Sequence, residues 1–162
     1  MSERSRTFTW HDPMTTANAA RNRAGLAWLQ AMQRGEIPEP PISDLLDMGL
    51  EVVEDGRVVF TLTPAEYHYN PIGVVHGGVA ATMLDSAMAC AIHTRLGPGI
   101  GYTTVELSVN FMRPITLETG TIRAIGEVIQ VGRRVGLAEG RIEDAGGKLY
   151  AFAKTTCIVL DA

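Results

Sequence analysis

A glycine pair and a lone carboxylate stand close together in this sequence and could perform chemistry together. A Pro- and Gly-rich loop ends in Gly77 and Gly78, and an apolar run that contains Asp85 follows. The first N–H groups of a helix lack partners within it, and the helix dipole attracts negative charge to them. A helix that opens at Gly77 therefore offers bare N–H groups to a developing oxyanion. Asp85 falls where this helix should be buried, and an unpaired buried carboxylate is costly. The combination predicts an active site.

The spacing of these two groups predicts that one chain cannot complete the site. Asp85 lies eight residues after Gly77, which is roughly 12 Å along a helix axis. Groups that act on one carbonyl should lie within about 3–3.5 Å of the reacting atoms. Two antiparallel copies of the helix, related by a twofold axis, would bring Asp85 of one chain near Gly77 of the other. We therefore expect a homodimer with two equivalent sites at its interface.

Apolar periodicity predicts two strands before this helix and four after it. The runs 50–54 and 57–63 are joined by Asp55-Gly56, a strong hairpin signal. After the helix, extended runs are predicted at 102–112, 121–131, 134–144 and 148–160. A single apolar helix beside six strands must be covered by the sheet on nearly every side. The expected fold class is therefore α+β, with an antiparallel six-stranded sheet wrapped around one long central helix.

The run 102–112 alternates between apolar and polar residues, so we expect two distinct faces. Its apolar face should carry Val105, Leu107, Val109 and Phe111, and its polar face Thr104, Glu106, Ser108 and Asn110. A threonine on a polar strand face is ordinary and needs no functional role.

The N-terminal part of the chain predicts a separate helical extension. Asp12-Pro13 is typical of a helix start, and alanines at helical spacing continue until Gly35. Consecutive prolines at 38–41 then break the helix, and Ser43 could cap one further short turn. We expect an extension with an extra N-terminal helix and a Pro-rich linker at 1–41, followed by the main domain at 42–162.

Composition limits the possible partners and the compartment. The 162 residues carry a net charge of −4, so neither nucleic acid nor an anionic membrane is expected as a partner. Residues 1–9 lack the apolar core of a signal peptide, and no run approaches the roughly 20 apolar residues of a spanning helix. Cys90 and Cys157 lie in apolar runs, which favours free thiols in a reducing compartment. We expect a soluble, cytoplasmic protein.

The pattern from about residue 42 to 160 resembles the hotdog-fold acyl-CoA thioesterases, and among them the PaaI-like (phenylacetate-pathway-like) branch. The residues that carry the resemblance are Asn70, the triplet His76-Gly77-Gly78, Asp85 nine positions after that histidine, the strand from Thr104 to Pro114, and the late turn Gly132-Arg133-Arg134. The combination is specific, although His-Gly-Gly alone would be weak.

The resemblance implies hydrolysis of an acyl-CoA thioester by dimers that pair into tetramers, without a metal or an organic cofactor, because coenzyme A is part of the substrate. It implies that the Gly77 N–H polarises the thioester carbonyl and that Asn70 places the water or the substrate. Asp85 would act as general base or as nucleophile. A hydroxyl at Thr104, or at Thr103 if the alignment slips by one, would assist.

The remaining site residues leave two interpretations open. His76 could orient the loop and contact the thioester, or it could be a structural hydrogen-bonding residue. Gly78, Arg113, Arg133 and Arg134 are candidates for binding substrate or CoA. One or two of the three arginines could hold the phosphates of CoA, because guanidinium groups bind phosphate in a bidentate manner, although most surface arginines do nothing comparable. His68 and His93 lack partners at metal-ligand spacing, so no metal site is expected.

Two other functions remain open at this point. The first is a hotdog dehydratase or hydratase acting on acyl thioesters, which usually pairs a histidine base with an acid near the helix. The second is an acyl-CoA-binding protein without catalytic activity. Ser86 beside Asp85 lacks a nucleophile elbow, which argues against serine-hydrolase chemistry.

Overall fold

The computed structural model describes residues 3–160. Four helices and six strands follow one another as α1 Pro13–Ala20, α2 Gly25–Gln33, α3 Pro41–Leu46, β1 Met48–Glu54, β2 Arg57–Leu62, α4 Gly77–His93, β3 Gly101–Phe111, β4 Ile122–Val131, β5 Val135–Asp144 and β6 Leu149–Leu160. The predicted ranges 1–41 and 42–162 also include residues 1, 2, 161 and 162, which lie outside the described residues. Within the described chain, no helix combines the length and the apolar character needed to span a bilayer.

The six strands form one antiparallel sheet in the order β1-β2-β4-β5-β6-β3, with α4 packed against one face. Met83, Leu84 and Met88 of α4 are fully buried there. The backbone of β4 passes so close to α4 that a Cβ at Gly126 would lie 2.3 Å from the backbone of Ala87. The predicted fold, a sheet wrapped around one long central helix, is confirmed.

The N-terminal extension contains two helices where one continuous helix was expected. The chain leaves the helix after Ala20 and enters α2 at Gly25. The reason is a tertiary contact, because Gly25 lies against the end of α4. A Cβ on Gly25 would stand 1.8 Å from the His93 carbonyl oxygen, and the Gly25 N–H donates to the Leu96 carbonyl at 3.0 Å. The short third helix begins at Pro41 rather than with Ser43 as its cap.

A β-bulge in β3 overturns the predicted alternation of its faces. The pairing of β3 with β6 shifts between Thr104 and Glu106, so Val105 is the extra residue. The bulge places Thr104 on the same side of the sheet as Val109, which packs on the core. Thr104 pairs with the fully buried Cys157. The expectation that Thr104 shares a face with Glu106, Ser108 and Asn110 was therefore wrong, because one extra residue inverts the register of everything before it.

The two edges of the sheet differ in how they are covered. At the β1 edge, the Gln33 side chain of α2 donates to the Glu51 carbonyl at 2.6 Å, and Gln30 approaches the Val53 carbonyl at 3.5 Å. At the other edge, β3 pairs only with β6 among the described strands. Val105 and Phe111 on this strand are 52% and 58% exposed. A long apolar edge of this kind is a template for pairing with another chain.

We expect His93 to make the protein less stable in acid. Burial lowers the pKa of His93 to about 4, whereas an unfolded histidine titrates near 6.5. Between these values the unfolded chain binds a proton that the folded chain does not, so the free energy of unfolding falls as the pH drops through this window. Between pH 7 and pH 5 the loss from this one residue should be about 2 kcal/mol.

The measurement is urea unfolding at both pH values and at one protein concentration. His93→Phe keeps a ring between Trp28 and Tyr102, which lie 5.1 and 4.8 Å from the imidazole centre. On acidification from pH 7 to pH 5, the free energy of unfolding of this variant should fall by about 2 kcal/mol less than that of the wild type. For the exposed control His11→Phe, the fall should equal that of the wild type. Equal pH dependence of His93→Phe and wild type would contradict the burial effect.

Candidate active site

His76 organises the start of α4. It is the N-cap residue, and its Nδ1 accepts a hydrogen bond from the Gly78 N–H at 2.8 Å. Because Nδ1 accepts here, the neutral imidazole must carry its proton on Nε2. The His76 carbonyl accepts from the Val79 N–H at 2.9 Å. Among residues 3–160, nothing accepts a hydrogen bond from the Gly77 N–H, which is therefore the donor left over at this helix start.

The Gly77 cavity is a depression of about 360 Å³ lined by Asn70, Gly77, Phe111 and Arg113, among others. The Asn70 Oδ1 accepts from the N–H groups of Ile72 at 3.1 Å and Val74 at 3.2 Å. These two hydrogen bonds identify which side-chain atom of Asn70 is the oxygen and which is the nitrogen. The NH₂ group of Asn70 has no acceptor within the described chain. Two residues that line this cavity thus have unused donors, the Asn70 amide and the Gly77 N–H, and such donors can hydrogen-bond a carbonyl oxygen.

Asp85 lies half-buried in the middle of α4, and the Thr104 hydroxyl donates to its Oδ1 at 2.9 Å. Thr104, not Thr103, makes this contact, since the bulge turns Thr104 towards the helix. The two residues line the Asp85 cavity, a second depression of about 520 Å³ that is walled largely by apolar side chains. A carboxylate with one oxygen held by a hydroxyl and a cavity beside it can remove a proton or attack an electrophile.

Within one chain these two groups of residues stay apart. Asp85 and Thr104 do not line the Gly77 cavity, and Asn70 and Gly77 do not line the Asp85 cavity. The helix rise between Gly77 and Asp85 amounts to roughly 12 Å. One chain thus carries both halves of the predicted site, but in two separate cavities.

The three candidate arginines are dispersed. Arg113 lies at the mouth of the Gly77 cavity, and its Nη1 donates to the Leu149 carbonyl at 2.5 Å. Arg133 and Arg134 are exposed in the turn between β4 and β5. That turn leads to Gly136, which contacts Ile92 near the other end of α4. The structure therefore brings Arg113 to the Gly77 cavity but keeps Arg133 and Arg134 away from it in the same chain.

Three other titratable side chains in the interior, those of His68, Cys90 and Cys157, have pKa values that are shifted by burial. The His68 ring accepts from the Ala65 N–H and contacts the Leu46 carbonyl, each at 3.0 Å, and burial lowers its pKa. Both cysteines are free thiols, as predicted; burial raises the pKa of Cys90 to about 12 and also raises that of Cys157. In the part of the chain that the structure describes, no three His, Cys, Asp or Glu side chains are grouped to hold a metal ion.

Two site features escaped the sequence-based analysis. Phe111 covers Gly77, since a Cβ there would lie 3.1 Å from the Phe111 Cζ. Trp28 of the N-terminal extension lines the Asp85 cavity although it stands 57 residues before Asp85 in the chain. Nothing in the local pattern of either residue points to these contacts, which depend on the tertiary fold.

Comparison with known proteins identifies the family of this chain. Residues 72–151 match the model of the thioesterase superfamily. Human acyl-coenzyme A thioesterase 13 is 30% identical over 104 residues, which cover 62% of this chain and 71% of that protein. The chain belongs to the thioesterase superfamily. This hydrolase family has the hotdog fold predicted from the sequence, and the family assignment is confirmed.

Two further proteins are similar to this member of the thioesterase superfamily. The 1,4-dihydroxy-2-naphthoyl-CoA hydrolase of Listeria monocytogenes is 26% identical over 114 residues, 69% of this chain and 91% of that protein. The crystal structure of a phenylacetic acid degradation-related protein from Ralstonia eutropha superposes with a TM-score of 0.72 at 30% identity, covering 80% of this chain and 98% of that one. The second similarity agrees with the PaaI-like branch.

Proposed function

We propose that this protein hydrolyses acyl-CoA thioesters at two equivalent sites on the interface of a homodimer. Each site would combine Gly77 and Asn70 of one chain with Asp85 and Thr104 of the other. The observation that carries the proposal is the separation of these groups into two cavities of one chain. Two relatives, a human acyl-coenzyme A thioesterase and a bacterial naphthoyl-CoA hydrolase, support CoA thioesters as the substrate class.

The β3 edge supports the proposed dimer. Its apolar side chains are exposed and its outer hydrogen-bonding groups are unpaired within the described sheet, whereas α2 covers the β1 edge. Pairing of β3 with its twofold copy would continue the sheet and bury this edge. The same twofold axis would set the two α4 helices antiparallel. This arrangement would bring Asp85 of one chain near Gly77 of the other, although the two residues lie roughly 12 Å apart within one helix. A dimer of dimers and a cytoplasmic location stay predictions.

The proposed chemistry begins with the thioester oxygen bound by the Gly77 N–H, which the α4 dipole reinforces. If Asp85 acts as general base, it takes a proton from water, and the oxygen of that water attacks the carbonyl carbon. The oxyanion then collapses, the carbon–sulfur bond breaks, and the CoA thiolate takes up the proton. If Asp85 acts as nucleophile, its oxygen displaces CoA to form a mixed anhydride, which water then hydrolyses. Arg113 at the mouth of the Gly77 cavity would bind phosphate groups of CoA.

A dehydratase or hydratase is less well supported by the same geometry. That chemistry uses a histidine base close to an acid, and the histidine of this region is His76. Its Nδ1 already accepts from the Gly78 N–H and its Nε2 carries the proton, so neither ring nitrogen is free to accept a proton from a substrate. The role of His76 is therefore best described as a cap that holds the oxyanion-binding turn.

Asp85→Asn should lower kcat for the best acyl-CoA by about 100-fold or more, because general-base catalysis contributes about 10²–10⁴-fold. The amide is isosteric with the carboxyl group, so the fold and the dimer should persist. Thiol release from acyl-CoA is measured with a thiol reagent, and Asp85→Glu, which keeps the carboxylate, should retain part of the activity. Wild-type activity in a folded Asp85→Asn protein would contradict the assignment.

Gly77→Pro and Gly77→Ala form a matched pair that isolates the backbone N–H. Both add a Cβ near Phe111, but only proline removes the N–H. Proline is common at the first position of a helix. The residue before a proline must be extended, and His76 already is, with φ −62° and ψ 134°. We expect kcat of Gly77→Pro to lie about 10²–10³-fold below that of Gly77→Ala.

Thermal unfolding of the two Gly77 variants serves as the control for this comparison. The two proteins should unfold at similar temperatures, since both keep the helix start. Equal turnover by the two folded variants would remove Gly77 from the oxyanion site.

A further inference from the structure

Part of the wall of the Asp85 cavity comes from the N-terminal extension, outside the predicted hotdog domain. The cavity lining includes Trp28 and Met32 of α2 and Ile42 of α3, together with Phe60 and Tyr102 of the sheet. The N-terminal extension, through Trp28, Leu29, Met32 and Pro40, therefore forms part of this cavity.

We propose that Trp28 sets the length of the acyl group that this protein accepts. The proposal rests on the proposed function in one respect, that the thioester carbonyl lies at Asp85. With the carbonyl there, the acyl chain enters the Asp85 cavity and ends against the indole of Trp28. The accepted substrates are then acyl-CoAs with uncharged apolar acyl groups of short or medium length.

Trp28 is held rigidly enough to act as a stop. Its Nε1–H donates to the Thr16 carbonyl of α1 at 3.1 Å. Its ring lies 5.1 Å from that of His93, which in turn lies 4.8 Å from that of Tyr102. The contact of Gly25 with the end of α4 fixes α2 three residues before Trp28. Helix α1, helix α4 and strand β3 thus all restrict the indole.

The chemistry of the walls defines the acyl class. Among the described residues that line the cavity, Asp85 is the only acidic or basic side chain, and burial raises the pKa of the Cys90 thiol to about 12. A second carboxylate on the acyl group would face Asp85 and apolar walls without a cation, which is costly. The volume of about 520 Å³ is in the usual range for a small-molecule site.

A purely structural role for Trp28 makes a different prediction. The indole would then only join the extension to the domain, and its truncation would lower activity on all acyl-CoAs alike. A length stop instead changes the ratio between long and short substrates, and leaves acetyl-CoA, whose methyl group does not reach the indole, as an internal reference.

The test compares kcat/KM for acetyl-, hexanoyl-, decanoyl- and dodecanoyl-CoA in wild type, Trp28→Ala, Trp28→Phe and Trp10→Ala. Trp10, an exposed tryptophan of the same extension, provides the matched control. In Trp28→Ala the dodecanoyl-to-hexanoyl ratio should rise at least about tenfold, since each newly buried methylene contributes roughly fourfold. Trp28→Phe should fall between Trp28→Ala and wild type, and Trp10→Ala should keep the wild-type ratio. Unchanged ratios in Trp28→Ala would overturn the proposal.

A binding measurement separates this proposal from the proposed function. In Trp10→Phe, Trp28 is the only tryptophan, so its fluorescence reports directly on the cavity. A non-hydrolysable hexyl-CoA thioether should change its emission, and CoA alone should not. This result would support the acyl cavity even in a protein that hydrolyses no thioester, which would refute only the proposed function. Equal emission with the thioether and with CoA would overturn the role of Trp28, whatever the turnover.

Discussion

The rigidity of α4 is the constraint on which the site depends. An α-helix advances 1.5 Å per residue, so the N–H at its start and a carboxylate eight residues later stay roughly 12 Å apart. No side-chain movement can close this distance, because Gly77 has no side chain and Asp85 is held by Thr104. The sheet reinforces the constraint by packing against the helix at Gly126. If both groups act on one thioester, a second chain must supply one of them.

The edges of the sheet and the N-terminal extension are linked to this requirement. The extension covers β1 through the side chains of α2, which leaves β3 as the apolar edge for a second chain. Strand β3 also carries Thr104, the partner of Asp85, so the proposed interface runs beside the proposed base. The same α2 helix contributes Trp28 to the lining of the Asp85 cavity. In the proposed dimer and acyl cavity, helix α2 would thus affect both where the chain pairs and which acyl group fits.

Sequence patterns predicted the parts of this structure that depend on local periodicity. The six strands, the central helix and the Asp55-Gly56 hairpin follow from alternation and turn residues, and their bounds agree to within one or two residues. The bulge at Val105 was missed because one extra residue leaves the alternation of the sequence intact while it shifts the pairing. The helix break before Gly25 was missed because its cause is a contact with His93, about seventy residues later in the chain. Residue types and spacing could therefore suggest Asp85 and Gly77 as a pair, but not the contact between Thr104 and Asp85 or the place of Trp28.

Subunit mixing tests the central claim, a site shared by two chains, most directly. Asp85→Asn and Gly77→Pro proteins, each inactive alone, are refolded together, and mass measurement confirms the mixed dimers. A mixed dimer has one site with both groups intact and one with both damaged. About half of randomly formed dimers are mixed, so roughly a quarter of the wild-type activity should return. Recovery no greater than the average of the two separate variants would mean that each site lies within one chain, and would contradict the account.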